Sequence, residues 1–266
     1  MTPLPVRRFG KDGLNIFLLG VGTTWFGRKW PPDNFSYKYP DFREISLYLD
    51  EAFLCAADQD GSLMIDTSPS YGRSEELIGR YLNNRKELLP KTFIATKWGE
   101  GFDASSQTAT LNHSRRELVA SVKQSLSHLG KIDLLYIHRA ASEVLKDGEI
   151  IDEMTNMKKT HYAGINYTGA SISNEAMVET VVKNKLIGWL DVIQMPASIF
   201  LKRPDLVNII RGMGISIILN SPVRKGGDRQ PKDIYAELLQ HEEVSAILTG
   251  ARNHLRETLG FFCRSK

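Results

Sequence analysis

Cysteine is nearly absent. The 266-residue chain has two, Cys55 and Cys263, so no disulfide framework is available and a reducing compartment is expected. Both read as small core residues. An excess of either charge is also missing: 34 basic residues face 31 acidic ones, a formal charge of +3. That balance offers no electrostatic case for nucleic acid or a membrane surface, although a local basic pocket for a phosphate is compatible with it. No apolar run approaches membrane-spanning length. The first residues, Met1 to Arg8, lack the apolar stretch of a signal peptide, so a cytoplasmic location is expected. His113, His128, His161, His241 and His254 show neither His-x-His nor His-Glu-x-x-His spacing, and no metal is expected. A Walker-type glycine loop with lysine is missing too.

What is present is alternation. Short apolar runs at Ile16–Gly20, Leu63–Thr67, Thr92–Lys97, Ile132–His138, His161–Asn166, Leu190–Met195, Ile215–Asn220 and Val244–Thr249 read as eight strands. Most are continuously apolar, as parallel strands covered on both faces are. Helical patterns separate them. After Phe42, residues Ile45, Leu49, Phe53 and Ala56 recur at helical spacing, and Ser114 with Glu117 forms a capping box for a helix that Gly130 stops. Segments 74–83, 143–157, 173–186, 204–212, 232–240 and 254–262 complete the set. This pattern predicts an α/β fold, a (β/α)₈ TIM barrel in one domain over residues 1–266, with the segment before the first strand forming a hairpin beneath it. An open doubly wound sheet is the competitor. Its nucleotide fingerprint is Gly-x-Gly-x-x-Gly opening a helix, whereas Gly20-Val21-Gly22-Thr23-Thr24-Trp25-Phe26-Gly27 misplaces the third glycine and runs into a loop.

Catalytic residues of such barrels sit at the C-terminal ends of the strands. Asp66 and Tyr71 follow the second run, Lys97 ends the third and His138 ends the fourth. If these strands are neighbours, a carboxylate, a phenol, an ammonium and an imidazole meet at one rim. Reducing a carbonyl needs a hydride donor and a proton for the developing alkoxide. A phenol, with an ordinary pKa of about 10, is a poor acid at neutral pH. An adjacent ammonium favours the phenolate and eases release of the proton. The expected roles are Tyr71 as acid, Lys97 as its tuner, Asp66 as the anchor of Lys97 and His138 as the group that orients the carbonyl. Trp25, Phe26 and Trp98 fall on loops above the same rim and are expected to wall an apolar substrate pocket.

The blocks Leu19-Gly20-Val21-Gly22-Thr23, Ile65-Asp66-Thr67-Ser68-Pro69-Ser70-Tyr71-Gly72 and Glu75-Glu76-Leu77-Ile78-Gly79 carry a specific pattern. With Ala95-Thr96-Lys97, Asp133-Leu134-Leu135-Tyr136-Ile137-His138, Gly164-Ile165-Asn166, Ile193-Gln194, Asn220-Ser221-Pro222 and Thr249-Gly250-Ala251-Arg252-Asn253, the chain resembles the aldo-keto reductases over nearly its whole length. The resemblance implies reversible NADPH-dependent reduction of aldehydes or ketones without a metal, NADH being an alternative cofactor, and the same roles for the tetrad. It further implies that Gly22 and Thr23 lie against the cofactor, that Asn166 and Gln194 hold the nicotinamide amide, and that Ser221 approaches the pyrophosphate. Arg252, with Asn253, would face the adenosine 2′-phosphate, where a guanidinium fork suits the dianion.

Departures are visible. The fifth strand is followed by Asn166-Tyr167 where the family has Ser-Asn, Asn220 stands where an aromatic ring often stacks on the nicotinamide, and Thr258 replaces an asparagine. These changes leave open a nucleotide-binding sensor or interaction subunit with a degenerate site. A barrel lyase using Lys97 as a Schiff base is a further alternative.

Overall fold

A backbone that alternates between apolar strands and amphipathic helices buries most surface by closing the strands on themselves and wrapping the helices outside. The computed structural model describes residues 5–29, 36–55, 60–103, 105–223, 229–250, 252 and 254–262. Ala56, Ala251, Asn253 and Cys263 lie outside the described residues. In chain order the elements are β1 (Val6–Phe9), β2 (Leu14–Phe17), β3 (Leu19–Gly22), α1 (Thr24–Gly27), α2 (Phe42–Leu54), β4 (Leu63–Asp66), α3 (Ser74–Asn83), β5 (Thr92–Trp98), β6 (Glu100–Asp103) and β7 (Thr108–Leu111). They continue with α4 (Arg115–Leu129), β8 (Leu134–His138), α5 (Ser142–Lys146), α6 (Gly148–Lys159), β9 (Tyr167–Ser171), α7 (Glu175–Lys183), β10 (Val192–Pro196), α8 (Ala197–Lys202), α9 (Pro204–Gly212), β11 (Ser216–Asn220), α10 (Pro231–Leu238), β12 (Val244–Thr249) and α11 (Leu255–Phe262).

Eight strands close a parallel barrel in the order β10-β11-β12-β3-β4-β5-β8-β9. The expected fold class is therefore found. Two antiparallel hairpins stand outside it, β1 with β2 and β6 with β7. The expected first strand divides at Leu18: Leu14–Phe17 pairs in the hairpin, and Leu19–Gly22 enters the barrel. Phe9 from the hairpin packs edge-on to Phe93 at 5.1 Å and to Tyr167 at 4.9 Å, plugging the lower end.

The period of two along each strand decides what faces where. Met64, Phe93, Ala95, Leu134, Tyr136, Tyr167, Val192, Ile218, Ala246 and Leu248 share the inner cluster, while Ile65, Ile94, Trp98, Leu135, Ile137, Ile193 and Ile217 pack outward under the helices. Continuing the inner parity upward brings Gly22, Asp66, Lys97, His138, Ser171, Gln194 and Asn220 to one rim. The helices begin as their sequences dictate. Asp41 caps α2 by accepting from Glu44 N at 2.8 Å. Ser114 caps α4 through Glu117 N at 3.3 Å, and Gly130 ends that helix with φ 78°. The reciprocal arm of the capping box comes from Asn112, which takes the Ser114 N–H at 3.1 Å.

The expected fifth strand also departs from expectation. Residues 161–166 are not a strand: His161 (φ 50°), Ala163 (φ 59°) and Gly164 (φ 86°) take left-handed conformations around a 3₁₀ turn. Such a run cannot pair in a ladder, so the strand starts six residues later than expected, at Tyr167.

Candidate active site

Asp66 leaves β4 pointing inward, and the chain then turns tightly. Ser68 accepts from Ser70 N at 3.2 Å and starts the 3₁₀ turn Pro69–Tyr71. Gly72 closes it at φ 61°, where a Cβ would sit 2.1 Å from the Gly27 carbonyl oxygen. Only glycine permits that approach, and it holds the Tyr71 turn against α1.

Lys97 is fully buried. Its ammonium donates to Asp66 Oδ1 at 2.5 Å and to the Thr67 carbonyl at 2.9 Å, and lies 4.9 Å from the Tyr71 ring centroid. Burial works against its charge, but Asp66 and then Tyr71 outweigh burial and hold its pKa above the usual lysine value. Asp66 is held from the other side by Gln194, whose Nε2 donates to Oδ2 at 2.8 Å. Gln194 Oε1 accepts in turn from Ser171 Oγ at 2.8 Å and from Asn220 Nδ2 at 3.3 Å. A continuous polar chain thus runs from the ammonium across the rim. A second phenol, Tyr136, sits beneath with its ring centroid 5.8 Å from Lys97 Nζ. It is buried in the inner cluster, whereas Tyr71 lines the cavity above.

His138 meets Tyr71 edge-on, ring centroids 5.9 Å apart. Its Nδ1 lies 3.1 Å from Glu100 Oε2, 3.3 Å from Ser68 Oγ and 3.4 Å from Ser70 Oγ. Burial first, then the positive charges of Lys97, Arg28 and Arg139 and the nearby His113, hold the imidazole well below the ordinary histidine pKa. Glu100 is a site residue that the strand pattern does not reveal. It comes from the β6–β7 hairpin, is only 7% exposed, and also meets Arg28 Nη1 at 3.3 Å. Its one sequence signal is a carboxylate three residues beyond Lys97, which becomes meaningful only once the hairpin folds over the rim.

A cavity of about 1140 Å³ opens above these groups, a little above the roughly 300–1,000 Å³ usual for ligand clefts. Tyr71, His138, Glu100 and Arg139 line it, as do Gly22, Trp25, Ser171, Gln194, Asn220, Ser221 and Arg252. Arg252 donates to both carboxylate oxygens of Glu44, at 2.6 and 2.9 Å, and to the Lys38 carbonyl at 2.6 Å.

Several expected site residues lie elsewhere. Asn166 precedes β9 at the opposite end of the barrel, exposed, with its amide spent on His161 and Gly164. The strand-end side chain on that strand is Ser171. Tyr167 likewise sits at the bottom, its hydroxyl on Asp12 at 3.1 Å, so it is not part of the cavity wall. Thr23 has outward parity. Its hydroxyl donates to the Asp66 carbonyl at 2.9 Å and bonds Ser74 at 2.8 Å, and its neighbours Gly22 and Thr24 line the cavity instead. Phe26 and Trp98 are packed in the outer core; Trp98 follows Lys97, and adjacent strand residues face opposite sides. Of the three aromatic residues, only Trp25 lines the cavity. Thr258 is buried in α11.

Comparison with known proteins agrees with this fold. Residues 18–264 match the profile of the Aldo/keto reductase family. An aldo-keto reductase, str7, from Strobilurus tenacellus is 27% identical over 235 residues, 84% of this chain and 62% of that one. The D-arabinose 1-dehydrogenase of Saccharomyces cerevisiae is 33% identical over 105 residues, 38% of this chain and 29% of that protein. The chain thus spans less than two thirds of either curated relative. Among solved structures, an aldo-keto reductase from Pseudomonas aeruginosa superposes with TM-score 0.77 at 23% identity, covering 99% of this chain and 96% of that one. One from Klebsiella pneumoniae in complex with NADPH superposes with TM-score 0.68 at 14% identity, covering 97% and 89%.

Proposed function

We propose, for a chain that belongs to the aldo/keto reductase family, that it reduces a small aldehyde or ketone reversibly with a nicotinamide dinucleotide, Tyr71 supplying the proton. The observation that carries this reading is the buried Lys97 ammonium, set between the Asp66 carboxylate and the Tyr71 ring on the cavity floor. The cavity fits the cofactor: it is large, and it runs from this floor past Gln194, Asn220 and Ser221 to Arg252. Ser171, Gln194 and Asn220 would hold the nicotinamide end, Ser221 the pyrophosphate and Arg252 the adenosine end. NADPH, when bound, supplies the hydride. Tyr71 gives its proton to the carbonyl oxygen as negative charge develops there, and the Lys97 ammonium beside it stabilises the phenolate left behind. Asp66 keeps that ammonium charged and in place, and His138 orients the carbonyl.

Lys97 as a Schiff-base nucleophile is disfavoured, because such a lysine must be neutral and its pairing with Asp66 keeps it protonated. The sensor reading loses one of its supports, since Tyr167 is not in the cavity wall. A cytoplasmic protein without nucleic-acid or membrane partners fits this activity. Among the described residues, no helix is long and apolar enough to cross a membrane.

Tyr71→Phe tests the assignment. Turnover of NADPH with a panel of aldehydes should fall by about 10²–10⁴-fold, while quenching of tryptophan fluorescence by the cofactor persists. Undiminished turnover would remove Tyr71 from the chemistry. Cofactor binding by the unaltered protein with no oxidation across the panel would favour the sensor.

A further inference from the structure

Beside His138 the cavity gathers three charged side chains outside the Asp66, Tyr71, Lys97 and His138 set. Arg28 is committed: it stacks on Phe102 at 4.2 Å and donates to the Ser70 carbonyl and to Glu100, each at 3.3 Å. Glu100 is divided among Arg28, the His138 ring and Arg139. Arg139 is not committed. Among the described residues its guanidinium has one ion-pair contact, to Glu100 at 3.7 Å, and 54% of its side chain is exposed where it lines the cavity. Its backbone is held at φ 50°, a left-handed conformation uncommon outside glycine, of the kind found where a site fixes a side chain's direction.

Among the described residues, the charge at this end does not cancel. Lys97 and Asp66 neutralise each other below, and one carboxylate, Glu100, faces two guanidiniums. Glu44 is at the far end, paired with Arg252. A unit of positive charge therefore remains at the mouth of a cleft with low-dielectric walls, where its field is focused.

Resting on the carbonyl-reductase reading above, we propose that the substrate carries an oxyanion, a carboxylate or a phosphate ester, and that Arg139 receives it while the carbonyl lies at Tyr71 and His138. The guanidinium fork matches either group with two parallel hydrogen bonds. Arg139 is the residue after His138, so the anion and the carbonyl are separated by a short carbon chain.

Two matched pairs test this and tell the two oxyanions apart: succinic semialdehyde against butanal, and glyceraldehyde 3-phosphate against glyceraldehyde. In at least one pair the charged member should have kcat/KM higher by on the order of ten- to hundred-fold, an advantage that shrinks as salt is raised. Arg139→Gln should erase the advantage through KM, and Arg139→Lys should restore part of it. Glu100→Gln, which removes the opposing charge, should enlarge it. Circular dichroism and cofactor quenching establish that each variant is folded. Equal kcat/KM within both pairs, or an Arg139→Gln loss shared equally by charged and neutral members, would overturn the assignment and leave carbonyl reduction standing. Absence of NADPH oxidation with all four would instead bring down the reductase reading itself.

Discussion

The Glu100 carboxylate lies 3.1 Å from Nδ1 of His138, a charge contact that favours the protonated ring. The hydrogen bonds of Nδ1 run to the hydroxyls of Ser68 and Ser70, at 3.3 and 3.4 Å. A hydroxyl donating to Nδ1 puts the neutral ring's proton on Nε2, which can then donate to a carbonyl oxygen. Glu100 thereby acts on the reaction through the charge of His138, as a positioning residue.

Glu100→Gln should lower the His138 pKa. Among the described residues it removes the carboxylate beside the ring while Lys97, Arg28, Arg139 and His113 remain, so the imidazole should stay neutral to still lower pH. ¹⁵N chemical shifts of His138 report its protonation, and the acid limb of alcohol oxidation should move to lower pH. An unchanged titration would mean that Glu100 only fills space.

The Glu44 carboxylate accepts from both Nε and Nη2 of Arg252. A 2′-phosphate dianion would have to compete with that carboxylate, whereas a 2′-hydroxyl could donate to it. Glu44→Ala should therefore raise the affinity for NADP⁺ relative to NAD⁺, by about tenfold for one freed charge-assisted contact. Calorimetric titration with both dinucleotides measures the ratio; an unchanged ratio would place the 2′-phosphate away from Arg252.

Glu75, on α3, is buried behind the barrel. Burial raises its pKa to about 7 from 4.5, against the opposing hydrogen bonds from Thr96 and Ser125 and the charge of Lys97. A carboxyl whose folded pKa is raised contributes stability that is complete below the unfolded value. That contribution is lost as pH climbs through the folded one. Between pH 4.5 and 7 the protein should lose up to roughly 3 kcal/mol relative to Glu75→Gln, whose oxygen can still accept from both hydroxyls. Urea unfolding of the two proteins across this range gives the difference directly.

Gly79 faces the His128 carbonyl across the α3–α4 contact, and a Cβ there would lie 1.8 Å from that oxygen. Backbone cannot yield as a side chain can. Gly79→Ala should destabilise by about 1–3 kcal/mol through overpacking, with the melting temperature falling and cofactor affinity little altered in the folded fraction.

Chain alternation and strand parity carried most of the site. Asp66, Lys97, His138 and Gln194 lie on inward positions of apolar runs, and a strand read with period two can place its end residue only on one face. The same rule, applied to residue 98, assigns Trp98 to the helices rather than the pocket. Asn166 escaped it because the apolar Ile165 resembles a strand, while the left-handed residues around it are a property of φ that residue types only weakly encode.

Local order, then, was largely written in the sequence: the alternation of strands and helices, the face each inward run presents, and that a proton-transfer set stands at the strand ends. Tertiary structure alone decided the charges around that set. Glu100 reaches His138 over a hairpin, and Arg252 meets Glu44 across 208 positions of chain. Periodicity reports a residue's own face, whereas an ion pair depends on where two separate segments come to rest.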